Sequence, residues 1–125
     1  MKRNLELKTS DGGVITVPFK STGTTPIWFK QFAGEDLVTS INDATGNISK
    51  SSDVYSRLAY VMHRQAIVKS LDELSNLDID GFYAWLDQFE PMTFANKSDE
   101  IVDIYLCNTE TSSDAKKNPD QQTDQ

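Results

Sequence analysis

The chain has 125 residues and a formal net charge of -7, a size that supports one modest hydrophobic core and not two. The acidity argues against nucleic acid or an anionic membrane as a partner, because such binders need clustered Lys and Arg to displace counterions, and no cluster of that kind occurs. A single cysteine, Cys107, excludes an intramolecular disulfide and a multi-cysteine zinc site, and is read as a small half-buried apolar side chain.

The first element alternates, with Leu5 and Leu7 against Asn4, Glu6 and Lys8. Asp11-Gly12-Gly13 separates it from the β-rich run Val14 to Phe19, and these turn residues tolerate the positive φ of a tight hairpin. Strands are expected over about residues 3–9 and 14–19. Pro18 cannot donate to a ladder, which puts the second strand at an edge or at its end.

A Gly/Thr/Pro hinge, Thr22-Gly23-Thr24-Thr25-Pro26, leads into the first helix, with Thr25 as its cap and Pro26 at its first position. Trp28 and Phe32 stand four apart and share a face. Gly34 closes or kinks this helix, and Glu35-Asp36 suits the first turn of another that carries Leu37, Val38 and Ile41. Residues 42–50 read as loop. Ser52 or Asp53 is expected to cap the longest helix, about 53–68, whose Val54, Tyr55, Leu58, Ala59, Met62 and Ala66 form a stripe at spacings of three and four. His63 lies beside that stripe and is read as a boundary or surface residue.

Leu71 to Leu77 adds a turn of helix. Asp80 then caps a short helix in which Phe82, Trp85, Leu86 and Phe89 recur at helical spacing until Pro91 stops it. The last helix is expected over about 97–108, capped by Ser98 or Asn96, with Ile101, Val102, Ile104, Tyr105 and Leu106 inward. Beyond it, residues 109–125 contain no side chain to bury apart from Ala115, so they cannot offset their ordering entropy. The expected fold class is α+β, mainly α: an N-terminal β-hairpin followed by four to five short helices. Residues 1–108 form one globular domain and residues 109–125 a polar disordered tail.

Enzyme signatures are absent, since there is no phosphate loop and no Gly-x-Ser-x-Gly elbow. Adjacent acids such as Asp72-Glu73 and Asp99-Glu100 diverge on a helix and serve better as solvated caps than as an acid-base pair. Asn76, Asp78, Asp80, Gly81 and Asp87 match several positions of an EF-hand loop, yet the twelfth residue is Asp and not the longer Glu, and Leu77 and Ile79 are apolar where the loop is solvated. A helix cap at Asp80 accounts for the same residues. The reading is therefore of a protein that is not an enzyme and takes no cofactor.

The aromatic side chains are the better indication of function. Two Trp, six Phe and four Tyr sit mostly in short amphipathic helices, too small to cover one another completely. One reading makes all of them core. The other lets Trp28, Phe32, Trp85 and Phe89 line an apolar groove for a partner helix or for self-association.

In segment order the chain resembles the tail assembly chaperones of long-tailed phages and prophages of Gram-positive bacteria. The pieces are a β-rich start, Thr22 to Pro26 leading to Phe32-Ala33-Gly34-Glu35-Asp36-Leu37, then Leu58 to Met62, Phe82 to Phe89, and Glu100 to Tyr105. They cover roughly residues 3–108. The resemblance implies an assembly factor that coats the long, aggregation-prone tape measure protein and helps bring tail tube subunits to it. It also implies a location in the host cytoplasm, absence from the mature virion, and in many members a longer form made by ribosomal frameshifting. No binding residues are transferred by it. A virion structural component, such as a head-tail connector or tail-completion protein, is the alternative. The absence of any apolar run near the roughly 18 residues that span a bilayer fits either expectation.

Overall fold

The computed structural model describes residues 2–68 and 70–107. Two strands, β1 (Lys2–Lys8) and β2 (Val14–Lys20), form an antiparallel hairpin in which Leu5 faces Val17 and Leu7 faces Ile15. Its turn is held by Asp11, whose carboxylate accepts hydrogen bonds from the Gly13 N–H and the Thr9 hydroxyl. Gly12 adopts φ 93° there, a conformation that only glycine enters without strain. One face of the hairpin buries Leu5, Leu7, Val17 and Phe19; the other presents polar residues to solvent, the alternation that a half-buried sheet requires.

Seven helices follow among the described residues: α1 (Thr25–Ala33), α2 (Leu37–Ala44), α3 (Ile48–Ile67), α4 (Leu71–Ser75), α5 (Ile79–Leu86), α6 (Thr93–Asn96) and α7 (Ser98–Tyr105). The class is α+β, mainly α, as expected. The 20-residue α3 is the axis of the fold, packed against β2, α1, α2, α5, α6 and α7. Its Val54, Tyr55, Leu58, Ala59 and Met62 meet the apolar face of the hairpin together with Phe29, Leu37, Phe94, Ile101 and Ile104. That single cluster joins hairpin and helices in one core.

Local chemistry explains most boundaries, and several differ from the sequence expectation. The Asp36 carboxylate accepts from the Thr39 N–H at 3.0 Å and starts α2, which runs on to Ala44. Asn47, not Ser52 or Asp53, caps α3 by accepting from the Lys50 N–H at 3.1 Å. The expected loop over 42–50 thus shrinks to a short link, because the Asn and Ser residues that suggested a loop act as a cap and as first-turn helix residues. Ser49 does the latter, and Ser51, just beyond that stretch, ties α3 to α2 by donating its hydroxyl to the Ala44 carbonyl. Asp78 rather than Asp80 caps α5, accepting from the Gly81 N–H at 2.7 Å.

Phe89 lies outside the helix expected to carry it. The chain leaves α5 after Leu86, and Phe89 forms an antiparallel bridge with Thr9; Pro91 and the short α6, which the sequence reading lacked, come next. Helix α7 ends at Tyr105, with neither Ser98 nor Asn96 as a side-chain cap. Cys107 is exposed rather than half-buried, and its φ of 60° turns the chain out of α7. The expectation for residues 109–125 lies outside the described residues.

Thr25 is not a cap but a buried polar side chain. The position before α1 is Thr24, which makes no side-chain cap bond. The Thr25 hydroxyl instead donates to Gln65 Oε1 at 2.7 Å, and Gln65 Nε2 donates to Thr22 Oγ1 at 3.0 Å. This network fixes the start of α1 to the last turns of α3. Replacing Gln65 by Leu leaves the buried Thr25 O–H without its acceptor, although the Thr25 oxygen still accepts from the Thr22 N–H at 2.9 Å, and should lower the unfolding free energy by about 1–3 kcal/mol. Thr25→Val removes that O–H but also the acceptor of the Thr22 N–H, so the double variant should lose less than the sum of the two single variants without matching Gln65→Leu alone. Urea titrations of the two single variants and the double variant measure the coupling.

Candidate functional site

Beside the core, aromatic rings from α1, α3 and α5 form one continuous row. Phe32 meets Phe82 edge to face with centroids 5.2 Å apart, and Phe82 meets Tyr60 at 5.3 Å. Tyr60 meets Trp85 at 5.4 Å, and Trp85 continues to Phe89 at 5.1 Å and Phe94 at 5.2 Å. Tilted and edge-on contacts of this kind favour the electrostatics of the rings over flat stacking. The Arg57 guanidinium lies over the rings of Phe82 and Phe32, at 5.1 and 5.6 Å, and is held by Asp53 at 2.9 Å.

Of the four residues singled out from the sequence, three are therefore brought together. Phe32 and Trp85 are half-buried. Phe89 is only 6% exposed, so it supports Trp85 from the core side and does not itself face a partner. Trp28 stands apart from the row, half-buried, with its indole N–H donating to Thr24 Oγ1 at 3.1 Å.

Trp85 and Tyr60 also form a wall of a cleft of about 310 Å³, completed by His63, Arg64, Glu73, Leu77, Asp78 and Gly81. His63 sits with its ring nearly parallel to Trp85, at 15° and 5.4 Å between centroids. Its Nδ1 lies 2.9 Å from the Pro18 carbonyl; a carbonyl only accepts, so Nδ1 carries the proton and Nε2 is the free lone pair. Burial, with a smaller contribution from the Arg64 charge, holds the imidazole below its usual pKa despite the Pro18 hydrogen bond. Burial likewise raises the Tyr60 phenol above its usual value.

Arg64 Nε is buried without a hydrogen-bond partner. Other atoms of the Arg64 side chain line the cleft together with Glu73 and Asp78. Outside the cleft lining, Leu71 and Tyr83 are 70% and 53% exposed, and Ile67 and Ile79 also lie open; Ile79 and Tyr83, four apart, share the face of α5 turned away from Gly81 and Trp85. The cleft itself combines an aromatic wall with the polar side chains of Arg64, Glu73 and Asp78.

The chain matches no family model, no curated protein and no solved structure. What the site can do is argued from its own chemistry. Among the described residues no group of three or more His, Cys, Asp or Glu side chains is placed to hold a metal ion, and the Asp78 carboxylate of the EF-hand-like stretch is engaged as a helix cap. No helix among them is long and apolar enough to cross a membrane.

Tyr60, His63 and Arg64 were missing from the candidates read from sequence. A signal for Tyr60 was present: Tyr60, Val61 and Met62 are consecutive and all buried, and an unbroken apolar run in a helix marks burial on more than one side. No such signal exists for His63, because its partners Pro18 and Trp85 lie far off in sequence.

Two measurements follow. A Cβ at Gly81 would stand 2.9 Å from the Tyr60 hydroxyl and 3.0 Å from Asp78 Oδ1, and Tyr60 is wedged between rings and cannot swing aside. Gly81→Ala should therefore lose roughly 1–2 kcal/mol despite the better helix propensity of Ala, and Tyr60→Phe in the same chain should recover part of it. For His63, the folded pKa lies below the unfolded value near 6.5, so the unfolded chain takes up a proton first as the pH falls. Stability should be level above about pH 6.5 and decline below it as the pH approaches the folded pKa. Urea midpoints across that range should show the decline in the parent chain, and His63→Gln should flatten it.

Proposed function

We propose that the chain is a tail assembly chaperone, a non-enzymatic factor of the host cytoplasm that covers the tape measure protein before the tail tube encloses it. It helps to bring tube subunits to that protein and is left out of the mature virion. The reading rests on the ordered run of family-like segments from the hinge to α7, and the observation that supports it in the fold is the exposed apolar surface of α4 and α5. Leu71, Ile79 and Tyr83 expose surface that a soluble domain of this size gains little by exposing unless something covers it.

The chemistry fits an amphipathic helix as the guest. Such a helix presents apolar side chains at intervals of three and four, which the exposed apolar side chains of α4 and α5, Leu71, Ile79 and Tyr83, can receive. The net charge of -7 keeps a complex of many copies in solution.

Co-expression with the tape measure protein of the same phage should keep that protein in the soluble fraction with many copies of this chain bound. Leu71→Ser with Tyr83→Ser should abolish the effect while changing thermal stability by no more than about 0.5 kcal/mol per site, as expected for exposed positions. An insoluble tape measure protein in the presence of the parent chain, or the chain's appearance in purified virions by mass spectrometry, would count against the proposal.

A further inference from the structure

The hairpin has two outer edges of unequal fate. Along β2, the Pro18 carbonyl points away from β1 to accept from His63 Nδ1 at 2.9 Å. Along β1, the Lys8 carbonyl points away from β2 to accept from the Glu90 N–H at 3.2 Å and the Thr93 hydroxyl at 3.1 Å. In an antiparallel ladder, residues whose groups point outward alternate with residues that bond across the pair. Lys2, Asn4, Glu6 and Lys8, which face Lys20, Pro18, Thr16 and Val14, are therefore the outward set. The Thr9 N–H bond to the Gly13 carbonyl, at 2.9 Å, fits the same alternation.

Residues 88–90 cover the β1 edge from Lys8 onward, through the Glu90 bond and the Ser10 N–H bond to the Gln88 carbonyl. Ahead of Lys8 no described residue covers the edge: β1 packs chiefly on β2, and Asn4 and Glu6 have no outward backbone partner among the described residues. Native edges of this kind are normally blunted by charged side chains, proline or a covering element. Here the outward charges are of both signs and symmetrically placed. Lys2 and Glu6 flank Asn4 at equal spacing with opposite charge, both are exposed, and neither has an ion-pair partner among the described residues.

We propose that Lys2–Glu6 is a self-pairing edge, joining two copies of this chain antiparallel about a two-fold axis at Asn4. In that register the outward Asn4 groups of the two copies bond each other, and each Lys2 stands opposite the Glu6 of the other copy. Opposite charges directly across a ladder stabilise it, and like charges destabilise it. The product is a four-stranded sheet in which each β1 loses its bare edge. The pairing is isologous and closes on itself as a dimer instead of growing into a fibre. It involves neither the α4–α5 cleft nor the proposed guest helix.

Sedimentation equilibrium from about 1 µM to about 1 mM should show a concentration-dependent dimer that weakens with added salt. Lys2→Glu and Glu6→Lys each place like charges opposite one another and should weaken the dimer roughly tenfold or more. The double exchange restores complementarity and should restore the dimer, an outcome that a folding defect cannot produce. Asn4→Pro removes only an outward N–H and should yield a monomer with the parent chain's circular dichroism. A chain that is monomeric throughout the range overturns the proposal, whether the edge is then bare or reserved for a strand of another protein. So does a dimer indifferent to these substitutions.

Discussion

The structure depends on one constraint: α3 is buried on more than one side. Leu58, Ala59, Val61 and Met62 are 0% exposed, and these positions already cover nearly half a helical circumference at 100° per residue. With Ser56 and Tyr60, also buried, the buried arc of α3 reaches about 260°, and no single apolar layer can satisfy such a helix. The hairpin covers one side of it, α1 and α2 another, and α5, α6 and α7 close the rest. The elements around it are short because each has only a sector of this axis to cover. The 20 residues of α3 span about 30 Å, room for several helices of eight or nine residues placed side by side.

The aromatic row follows from the same arrangement. Where α1 and α5 meet over the second half of α3, the gap between helix axes is filled by flat rings rather than by aliphatic side chains. Rings bury much area for little side-chain entropy, but they leave edges uncovered at the periphery. Those edges become one wall of the cleft. Packing and the candidate site are thus two aspects of one set of residues, and Trp85 belongs to both: one side touches Phe89 and Phe94, the other His63 and the open cleft.

Periodicity made much of this legible from sequence. The hairpin, the apolar stripe of α3 and the spacing of Phe82, Trp85 and Leu86 follow from local patterns, and so the class and most elements are readable. What escaped reading was of two kinds. Cap identity turned on competition between near neighbours: Asn47 displaced Ser52 and Asp53, and Asp78 displaced Asp80. Either residue of each pair has the chemistry, and only packing further along the helix selects between them. The other kind was distant. Phe89 reads as one more helical apolar position, yet it is drawn out of α5 by the edge of β1, and Thr25 reads as a cap while Gln65, 40 residues on, claims its hydroxyl. Among the residues of the row and the cleft, Phe32 and Trp85 could be chosen by their spacing. His63 could not, because its environment is set by Pro18 and by a ring on another helix.

The Lys8 carbonyl, which accepts from both Glu90 and Thr93, has a consequence for the order of events during synthesis. The hairpin is made first, but one of the bonds that fastens it comes from a residue 85 positions later. At ribosomal speeds that interval is roughly 4 to 17 s, long compared with the microseconds in which a hairpin opens and closes. Over that interval Leu5, Leu7, Val17 and Phe19 have no completed core to enter. The nascent chain is thus itself a client for the kind of protection that the finished domain is proposed to give.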